Sequence, residues 1–210
     1  MRLSALLLLP ALAAAGCTNV ITGEVDGLSV PAMKSVFYIE AEDGYPSADQ
    51  GEDEGAIIVW MSSVEDACDV VADVLEAQQD TDDAEELARV WSDAYPEDFW
   101  EATVVMRVAD VNGSEGGSSF EGTAWDATNE SAGEAFASLT HYLQRLDADF
   151  FSEQEDFDQY QDLYYTDGGR LEIDVHDPGE RIAGAFETKA ADWDDGDAQG
   201  DVTIHFDAER

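Results

Sequence analysis

Alternating apolar and polar positions run through most of this chain and predict β-strands. The alternation is strictest in the last third, where residues 171–175, 182–186 and 202–206 each place every second side chain on one apolar face. Short links rich in Asp, Gly and Pro separate these runs, a pattern typical of an antiparallel meander. Earlier strand-like runs are residues 20–25, 35–41, 56–61, 99–108 and 120–126. Antiparallel sheet should therefore dominate the chain.

Helical periodicity begins directly after the strand-like run at residues 56–61. The serines at 62–63, with acids three residues later, form a capping-box pattern, and the apolar residues up to Leu75 follow helical spacing. A second helix is expected from the acidic residues at 80–83, because negative charge favours a helix N-terminus, and it should end before Pro96. The two predict a helical hairpin over about 63–95, packed on one sheet face.

A third helix is predicted over about 131–147, where apolar residues recur at helical spacing. The aromatic and acidic segment 150–165 is expected to be a helical extension or an ordered loop. With 210 residues the chain fits one domain. We therefore expect an α+β fold, in which an antiparallel sheet or sandwich of about seven strands carries the helical hairpin and the third helix.

The first 17 residues differ in character from the rest. Arg2 is followed by an apolar run from Leu3 to Ala13 and by small residues that end at Cys17. The run is too short to span a bilayer, which takes about 20 apolar residues. This stretch resembles the signal peptide and lipobox of bacterial lipoproteins, although that family prefers Leu where Ala14 stands.

The lipobox resemblance implies a covalent membrane anchor. In that family the cysteine thiol carries diacylglycerol, the signal is cleaved before it, and the new amino terminus receives a fatty acid such as palmitate. By this resemblance Cys17 is the lipidation site, residues 1–16 are the signal peptide, and 17–210 form one extracytoplasmic domain in the cell envelope, with the outer membrane favoured. The open alternative is an ordinary secretory signal that leaves Cys17 as a thiol.

The C-terminal strands carry a second resemblance. Residues 168–175, 180–187 and 199–208 read GGRLEIDV, ERIAGAFE and QGDVTIHFDA. This succession is similar to the ending of a group of uncharacterised, β-rich acidic bacterial lipoproteins, and GEVDG at 23–27 is similar to their first hairpin. Those proteins carry a cysteine matched by Cys68 and a partner cysteine at the C-terminus that has no counterpart here. The resemblance implies no activity.

The charge balance excludes some partners. The chain has 49 Asp and Glu against 9 Lys and Arg, a formal net charge of -40. Such a surface repels phosphate backbones and anionic lipid heads, so we expect no nucleic-acid binding and membrane attachment only through the lipid on Cys17. A cationic or a carbohydrate partner fits better. The acidity is typical of saline settings and equally of an acidic exported surface in an ordinary medium.

Metal-binding patterns are weak. Hard cations take several oxygen ligands from a short segment, which makes one acidic stretch a weak candidate. Its carboxylates are Asp192, Asp194, Asp195 and Asp197. The EF-hand pattern needs Gly at the sixth position, whereas Gly196 is fifth from Asp192. A turn between two strands is the better interpretation, and we expect no metal and no cofactor.

Reactive side chains form no catalytic motif. The three histidines are His141, His176 and His205, and the last two should face solvent because they alternate out of phase with apolar neighbours. Cys68 lies on the apolar stripe of a predicted helix and should be a small buried residue rather than a nucleophile. We assign no catalytic residue.

Aromatic residues are predicted to pack more often than to bind. Trp60, Trp100 and Phe186 fall on core faces. A second group lies in loops or irregular parts, where exposed rings beside carboxylates could stack on sugars or receive arginine side chains. Its members are Trp125, Trp193, Tyr160, Tyr164 and Tyr165.

These observations favour a monomeric, non-catalytic binding or interaction module. The first alternative is a carboxylate-dependent envelope hydrolase, which an aromatic-lined cleft with two buried acids would favour. The second is a structural surface protein without a specific ligand. No motif in the sequence specifies a molecular activity.

Overall fold

The computed structural model describes residues 19–44, 55–72, 83–107, 118–122, 135–144, 160–194 and 196–209. The predictions of a signal peptide over 1–16 and of lipidation at Cys17 lie outside the described residues. In the described part of the chain, no helix is long and apolar enough to cross a membrane.

Ten antiparallel strands form one sheet in these described residues. They are β1 Val20–Val25, β2 Leu28–Ser29, β3 Ser35–Gly44, β4 Gly55–Ser62, β5 Phe99–Arg107, β6 Ser118–Gly122, β7 Ala135–Tyr142, β8 Gln161–Asp177, β9 Arg181–Asp192 and β10 Ala198–Glu209. The order across the sheet is β2-β1-β10-β9-β8-β7-β5-β4-β3, and β6 pairs with β8. The β-rich α+β class is confirmed, but the number of strands is ten rather than about seven.

The sheet is strongly curled, so that its two edges approach each other. Asn19, just before β1, forms an isolated antiparallel bridge with Met33, just before β3. The edge strand β3 also lies against β10. A single curled layer can bury its concave face against itself, which is why no second sheet is needed.

The main core fills this concave face. Directly paired residues on neighbouring strands share a face, so the register places the apolar positions of six neighbouring strands, β4, β5 and β7 to β10, together. Fully buried members include Ile57, Met61, Met106, Leu139, Leu171, Ile173, Ile182, Phe186 and Ile204. The C-terminal meander β8–β9–β10, the part with the strictest alternation, contributes five of these nine and is confirmed.

The first hairpin is also confirmed. Asp26 and Gly27 connect β1 to β2 with φ angles of 50° and 72°. Two consecutive positive φ angles are what a tight two-residue hairpin turn requires, and Asp-Gly is a favoured pair for it. Asp26 N further donates to Gln199 O at 3.0 Å, which ties this turn to the start of β10.

Two helical segments in the described residues agree with the predicted hairpin. Residues 67–72 form α1 and Ala84–Ala94 form α2. Asp83 caps α2 by accepting a hydrogen bond from Glu85 N, and the N–H of Tyr95 closes its last turn on Trp91 O. Helix α2 therefore begins and ends where the acidic cluster and Pro96 predicted.

The start of α1 differs from the predicted capping box. Ser63 Oγ accepts from Trp100 N at 2.8 Å, so this hydroxyl serves the sheet instead of the helix. The hydroxyl of Ser35, on β3, instead accepts from Ala67 N at 3.0 Å and donates to Val64 O at 2.8 Å. A side chain 32 residues earlier in the chain thus holds the N-terminus of α1.

A strand replaces the predicted third helix. The described part of the 131–147 segment forms β7, which pairs with β5 on one side and β8 on the other. Ala135, Ala137, Leu139 and His141 are buried while the residues between them are half-buried. The segment's apolar residues fit both the helical and the strand period. Its position between β5 and β8 selects the strand, because a helix there would leave the facing edges of both strands unpaired.

Strand β8 is longer than predicted. It spans 17 residues and includes 161–165, for which a helical extension or an ordered loop was expected. Two irregularities in its pairing with β9, between Thr166 and Gly169 and between Ile173 and Val175, let so long a strand follow the curl.

Candidate functional site

The acidic stretch after β9 is a turn, as interpreted from the sequence. Asp192 Oδ1 accepts from Asp194 N at 2.8 Å, and Asp192 N donates to Asp197 O at 3.0 Å. Gly196 has a φ of 73°, which suits glycine. Asp195 lies outside the described residues. Within the described ranges, no group of three or more His, Cys, Asp or Glu side chains could hold a metal ion.

The prediction that His176 and His205 both face solvent is wrong for His176. The irregularity after Ile173 reverses the alternation of β8, so His176 becomes the cross-strand neighbour of the fully buried Ile182. Its side chain is only 2% exposed. His205 is exposed, as predicted.

His176 takes part in a contact that joins the β8–β9 turn to the edge strand β3. His176 Nε2 lies 3.3 Å from Glu40 Oε1, and the same oxygen accepts from Gly179 N at 3.2 Å. Tyr38 Oη adds a bond to the carbonyl of Asp177 at 3.3 Å. These groups are engaged in closing the curled sheet, so their role is structural.

His141 lies at the end of β7 between two carboxylates. Its side chain is 9% exposed, and Nε2 lies 2.8 Å from Asp98 Oδ1. On the other side of the ring, Nδ1 lies 3.9 Å from Asp162 Oδ2. Nδ1 is buried and has no hydrogen-bond partner among the described residues. An ionised carboxylate only accepts, so Nε2 is the nitrogen that donates to Asp98.

Aromatic rings fix His141 from the core side. The Trp100 ring stacks on the imidazole with centroids 4.3 Å apart and planes 8° apart, and Tyr164 lies 6.2 Å beyond Trp100. Burial raises the pKa of Tyr164 to about 12, with further contributions from the charges of Asp162, Asp26 and Asp192. Several carboxylates therefore act on one place in the molecule.

We call this group the acidic end. It comprises Asp26, Asp98, His141, Asp162, Tyr164 and Asp192. The register explains the convergence, because Asp162 pairs with His141 and Asp192 pairs with Tyr164 across neighbouring strands. Closely spaced carboxylates produce a strongly negative local potential, which attracts cations.

A second unusual carboxylate, Glu101, lies on the convex face of the sheet. It pairs with Ser62 and Thr140 across the neighbouring strands, on the face opposite the main core. Burial raises the pKa of Glu101 to about 7, and hydrogen bonding to Trp60 and Tyr142 offsets part of that rise. Tyr142 Oη lies 3.5 Å from Glu101 Oε2.

A column of aromatic rings connects the end of α2 to the strands beside this carboxylate. Trp91 stacks on Tyr95 at 4.4 Å, Tyr95 packs on Phe99 at 4.7 Å, and Phe99 stacks on Tyr142 at 4.3 Å. The column runs from α2 through Tyr95 to β5 and β7, so the C-terminal end of the helix lies against the convex face. Glu101 is half-buried beside this column.

Cys68, in α1, is half-buried and is a free thiol. Burial raises the pKa of its thiol to about 11, and the charges of Asp69 and Asp66 act in the same direction. A thiol with so high a pKa is a poor nucleophile at neutral pH. This agrees with the interpretation of Cys68 as a small packed residue.

The aromatic predictions are confirmed in part. Trp100 and Phe186 are buried in the core, whereas the core-face prediction for Trp60 is wrong, because its ring packs 5.0 Å from Phe37 on the convex face. Tyr160 and Tyr164 are buried. Trp125 lies outside the described residues.

An exposed aromatic pair remains near the acidic end. Trp193 is 37% exposed and meets Tyr165 edge to face, with centroids 5.9 Å apart. Trp193 N donates to Leu163 O, which places the pair beside the first residues of β8. The two rings offer some area for stacking on a ligand.

A shallow depression of about 400 Å³ lies over β9 and β10 beside Gly169. Lys189 and Asp201, which are cross-strand neighbours, stand on its rim. None of the described residues that line it is a histidine or an aromatic residue. It offers less convergent chemistry than the acidic end.

Sequence reasoning missed both unusual carboxylate sites because each is assembled from distant residues. Asp98 and His141 are 43 residues apart, and Glu101 lies near Tyr95, just after α2, and Tyr142 of β7. The paired strands bring these groups together, and no local spacing signals it. No family model, curated protein or solved structure matches this chain.

Proposed function

We propose that this protein is a lipid-anchored, non-catalytic binding domain of the cell envelope whose partner carries positive charge. The anchor rests on the resemblance of the residues ending at Cys17 to a lipobox. The formal charge of -40 makes electrostatic attraction to a cationic partner the largest long-range force available to the domain.

The observation that supports a cationic partner best is the convergence of carboxylates at the acidic end. Asp26, Asp162 and Asp192 all act on Tyr164. Two of the described arginines are engaged elsewhere on the sheet, where Arg181 forms a bidentate pair with Asp207 and Arg170 lies 3.5 Å from Glu172. A positively charged group arriving at the acidic end would be attracted by several of its carboxylates at once.

The packing of the concave face favours binding over catalysis. This face is filled by apolar side chains such as Leu171, Phe186 and Ile204, each with no exposed surface. A carboxylate-dependent hydrolase needs two acids flanking one bond, with carboxyl groups about 5 to 9.5 Å apart. Glu101 instead lies half-buried beside aromatic side chains, among them Trp60 and Tyr142.

Carbohydrate is the second candidate partner, and Trp193 with Tyr165 is the observation that favours it. An exposed ring beside carboxylates can stack on a sugar face. We rank it lower because this pair lies beside the acidic end, where the electrostatic attraction acts on cations and not on neutral sugars.

Two experiments test the two halves of the proposal. For the anchor, the wild-type chain should partition with membranes and a Cys17→Ser variant should not. A variant that stayed in the membrane fraction would contradict lipidation at Cys17. Mass spectrometry of the wild-type protein would identify the diacylglycerol and acyl chains directly.

For the partner, octaarginine is compared with octacitrulline, its neutral isosteric peptide, by calorimetric titration of the purified full-length protein. We expect a saturable heat for octaarginine alone. Equal binding of both peptides, or of neither, would contradict a cationic partner. A chitin or peptidoglycan fragment that bound instead, and lost affinity in Trp193→Ala, would favour the carbohydrate alternative.

A further inference from the structure

We infer that the acidic end contains a defined site for one cationic nitrogen, an ammonium or guanidinium N–H donor, held between His141 Nδ1 and Asp162 Oδ2. This inference rests on the proposed function and deepens it. General attraction would need only the net charge, whereas a defined site needs particular atoms at particular distances.

His141 supplies one of the two acceptors. Asp98 accepts from Nε2 at 2.8 Å, and Nδ1 is buried with no hydrogen-bond partner among the described residues. Leaving a buried polar atom unsatisfied costs about 1–3 kcal/mol. Buried polar atoms in proteins nearly always have a hydrogen-bond partner. An N–H group of a ligand would supply the missing donor for Nδ1.

The two acceptors are spaced so that one donor nitrogen can reach both. His141 Nδ1 and Asp162 Oδ2 lie 3.9 Å apart. Two acceptors at this distance cannot bond to each other while the ring is neutral, but one nitrogen can donate to both at about 2.8–3.0 Å. Ammonium and guanidinium groups carry several N–H bonds in directions that allow this, and the carboxylate makes the hydrogen bond charge-assisted.

The two acceptors differ in their access to solvent. His141 is held in place by the stacked Trp100 ring and by Asp98. The Asp162 side chain is 41% exposed, so a donor can reach its carboxylate from solvent. A preorganised acceptor beside an accessible carboxylate suits a side chain that enters from solvent.

The surrounding charges select the ligand class. Asp98 and Asp162 flank the ring, while Asp26 and Asp192 lie close enough to act on Tyr164 beside it. Anions are repelled by this arrangement. A metal ion is disfavoured as well, because within the described ranges no group of three or more ligating side chains could hold one. An organic nitrogen cation needs only the two acceptors.

The test uses purified full-length protein labelled with ¹⁵N in histidine, titrated with octaarginine. The variants are Asp162→Asn, which keeps the shape and removes the charge, and Asp174→Asn, a matched control on the exposed part of the same strand. We expect Asp162→Asn to weaken binding by about tenfold, and Asp174→Asn by no more than about twofold. The Nδ1 resonance of His141 should shift on binding in the wild type.

Several outcomes would overturn the site. Equal weakening by both variants, or an unmoved His141 Nδ1 resonance at saturation, would show binding by net charge alone, and the proposed function would stand without the site. A ring already protonated on both nitrogens in the free protein would also overturn it, because Nδ1 would then be a donor to Asp162. If octaarginine does not bind the wild type, the proposed function fails together with the site.

The source of the nitrogen is distinguished by further probes. N-acetyl-arginine amide and N-acetyl-lysine amide represent side chains of a partner protein, and putrescine represents a free amine. A His141 shift with all three identifies a general cation site. A shift with the amino-acid probes alone identifies a site for a partner's side chain, and a shift with none of the three at saturating concentration would overturn the inference.

Discussion

Asp98 Oδ1 lies 2.8 Å from His141 Nε2, although the two residues are 43 positions apart. Asp98 reaches the ring from a left-handed backbone conformation, φ 64°, at the start of β5. Asp is among the few residues besides glycine that are enriched there. The contact joins the segment after α2 to the end of β7, and it holds the imidazole at Nε2. The orientation of His141 is thus set by the fold before any ligand arrives.

Replacing Glu101 by Gln should flatten the pH dependence of stability. Burial raises the pKa of Glu101 from 4.5 to about 7, so the folded protein retains a proton that the unfolded chain has released between these values. The resulting stabilisation is complete below about pH 4.5 and is lost as the pH rises through about 7. Between these limits, the unfolding free energy of the wild type should fall relative to that of Glu101→Gln by on the order of 2 kcal/mol.

Urea denaturation at several pH values measures this difference. Glu172→Gln is the matched control, because Glu172 is an exposed glutamate on the same sheet. The control should retain the wild-type pH slope. If Glu101→Gln also retained it, the burial assigned to this carboxylate would be wrong.

Replacing Ser35 by Ala should destabilise the protein by about 1–3 kcal/mol. The Ser35 hydroxyl is the donor for Val64 O and the acceptor for Ala67 N, and its loss leaves both backbone groups unsatisfied at the start of α1. Ser92→Ala is the control, since that hydroxyl forms an exposed bond within α2 and should matter by less than about 0.5 kcal/mol. Equal unfolding free energies for the two variants would contradict the anchoring role of Ser35.

Replacing Gly184 by Ala should be the more damaging of two glycine changes. A Cβ at Gly184 would overlap the carbonyl oxygen of Glu172 and lie 3.1 Å from Phe206 Cζ, in the middle of the meander. Overpacking of this kind costs about 1–3 kcal/mol. Gly27→Ala meets no neighbour within 4 Å and carries only the strain of its φ of 72°, about 1 kcal/mol. Thermal unfolding ranks the two, and a smaller loss for Gly184→Ala would contradict the described register.

Salt should stabilise the fold at neutral pH. The net charge of -40 makes the folded chain repel itself, and the Debye length shrinks from about 10 Å at 0.1 M to about 3 Å at 1 M. The Tm should therefore rise with sodium chloride at pH 7, and rise much less at pH 3, where most carboxylates are protonated. A Tm that did not change with salt at pH 7 would contradict self-repulsion. It would also contradict the interpretation that the acidic composition reflects a saline setting.

The sequence predicted those parts of the fold in which local pattern and tertiary pairing agree. Strict alternation identified the meander, and Asp26-Gly27 identified the first turn, because both depend on neighbouring residues. Strand β7 was mispredicted because AFASLTHY satisfies two periods, and only the edges of β5 and β8 select between them. The face of His176 was mispredicted because a single irregularity after Ile173 inverts every later side chain.

The sequence predicted less of the candidate site than of the fold. The chain has 49 acidic residues, and their number does not show which of them come together in the folded protein. Asp162 and Asp192 reach the acidic end through strand register, and Asp98 reaches it through an unusual backbone angle. Register and backbone conformation are properties of the assembled sheet.

The most direct test of the proposed function is the salt dependence of cation binding. The dissociation constant of octaarginine is measured for the wild-type protein in sodium chloride from about 0.05 M to 1 M, the range over which exposed charges become screened. The account predicts steady weakening by at least about tenfold across this range, with octacitrulline showing no binding at any concentration. An affinity that did not change with salt, or octacitrulline binding as well as octaarginine, would contradict it.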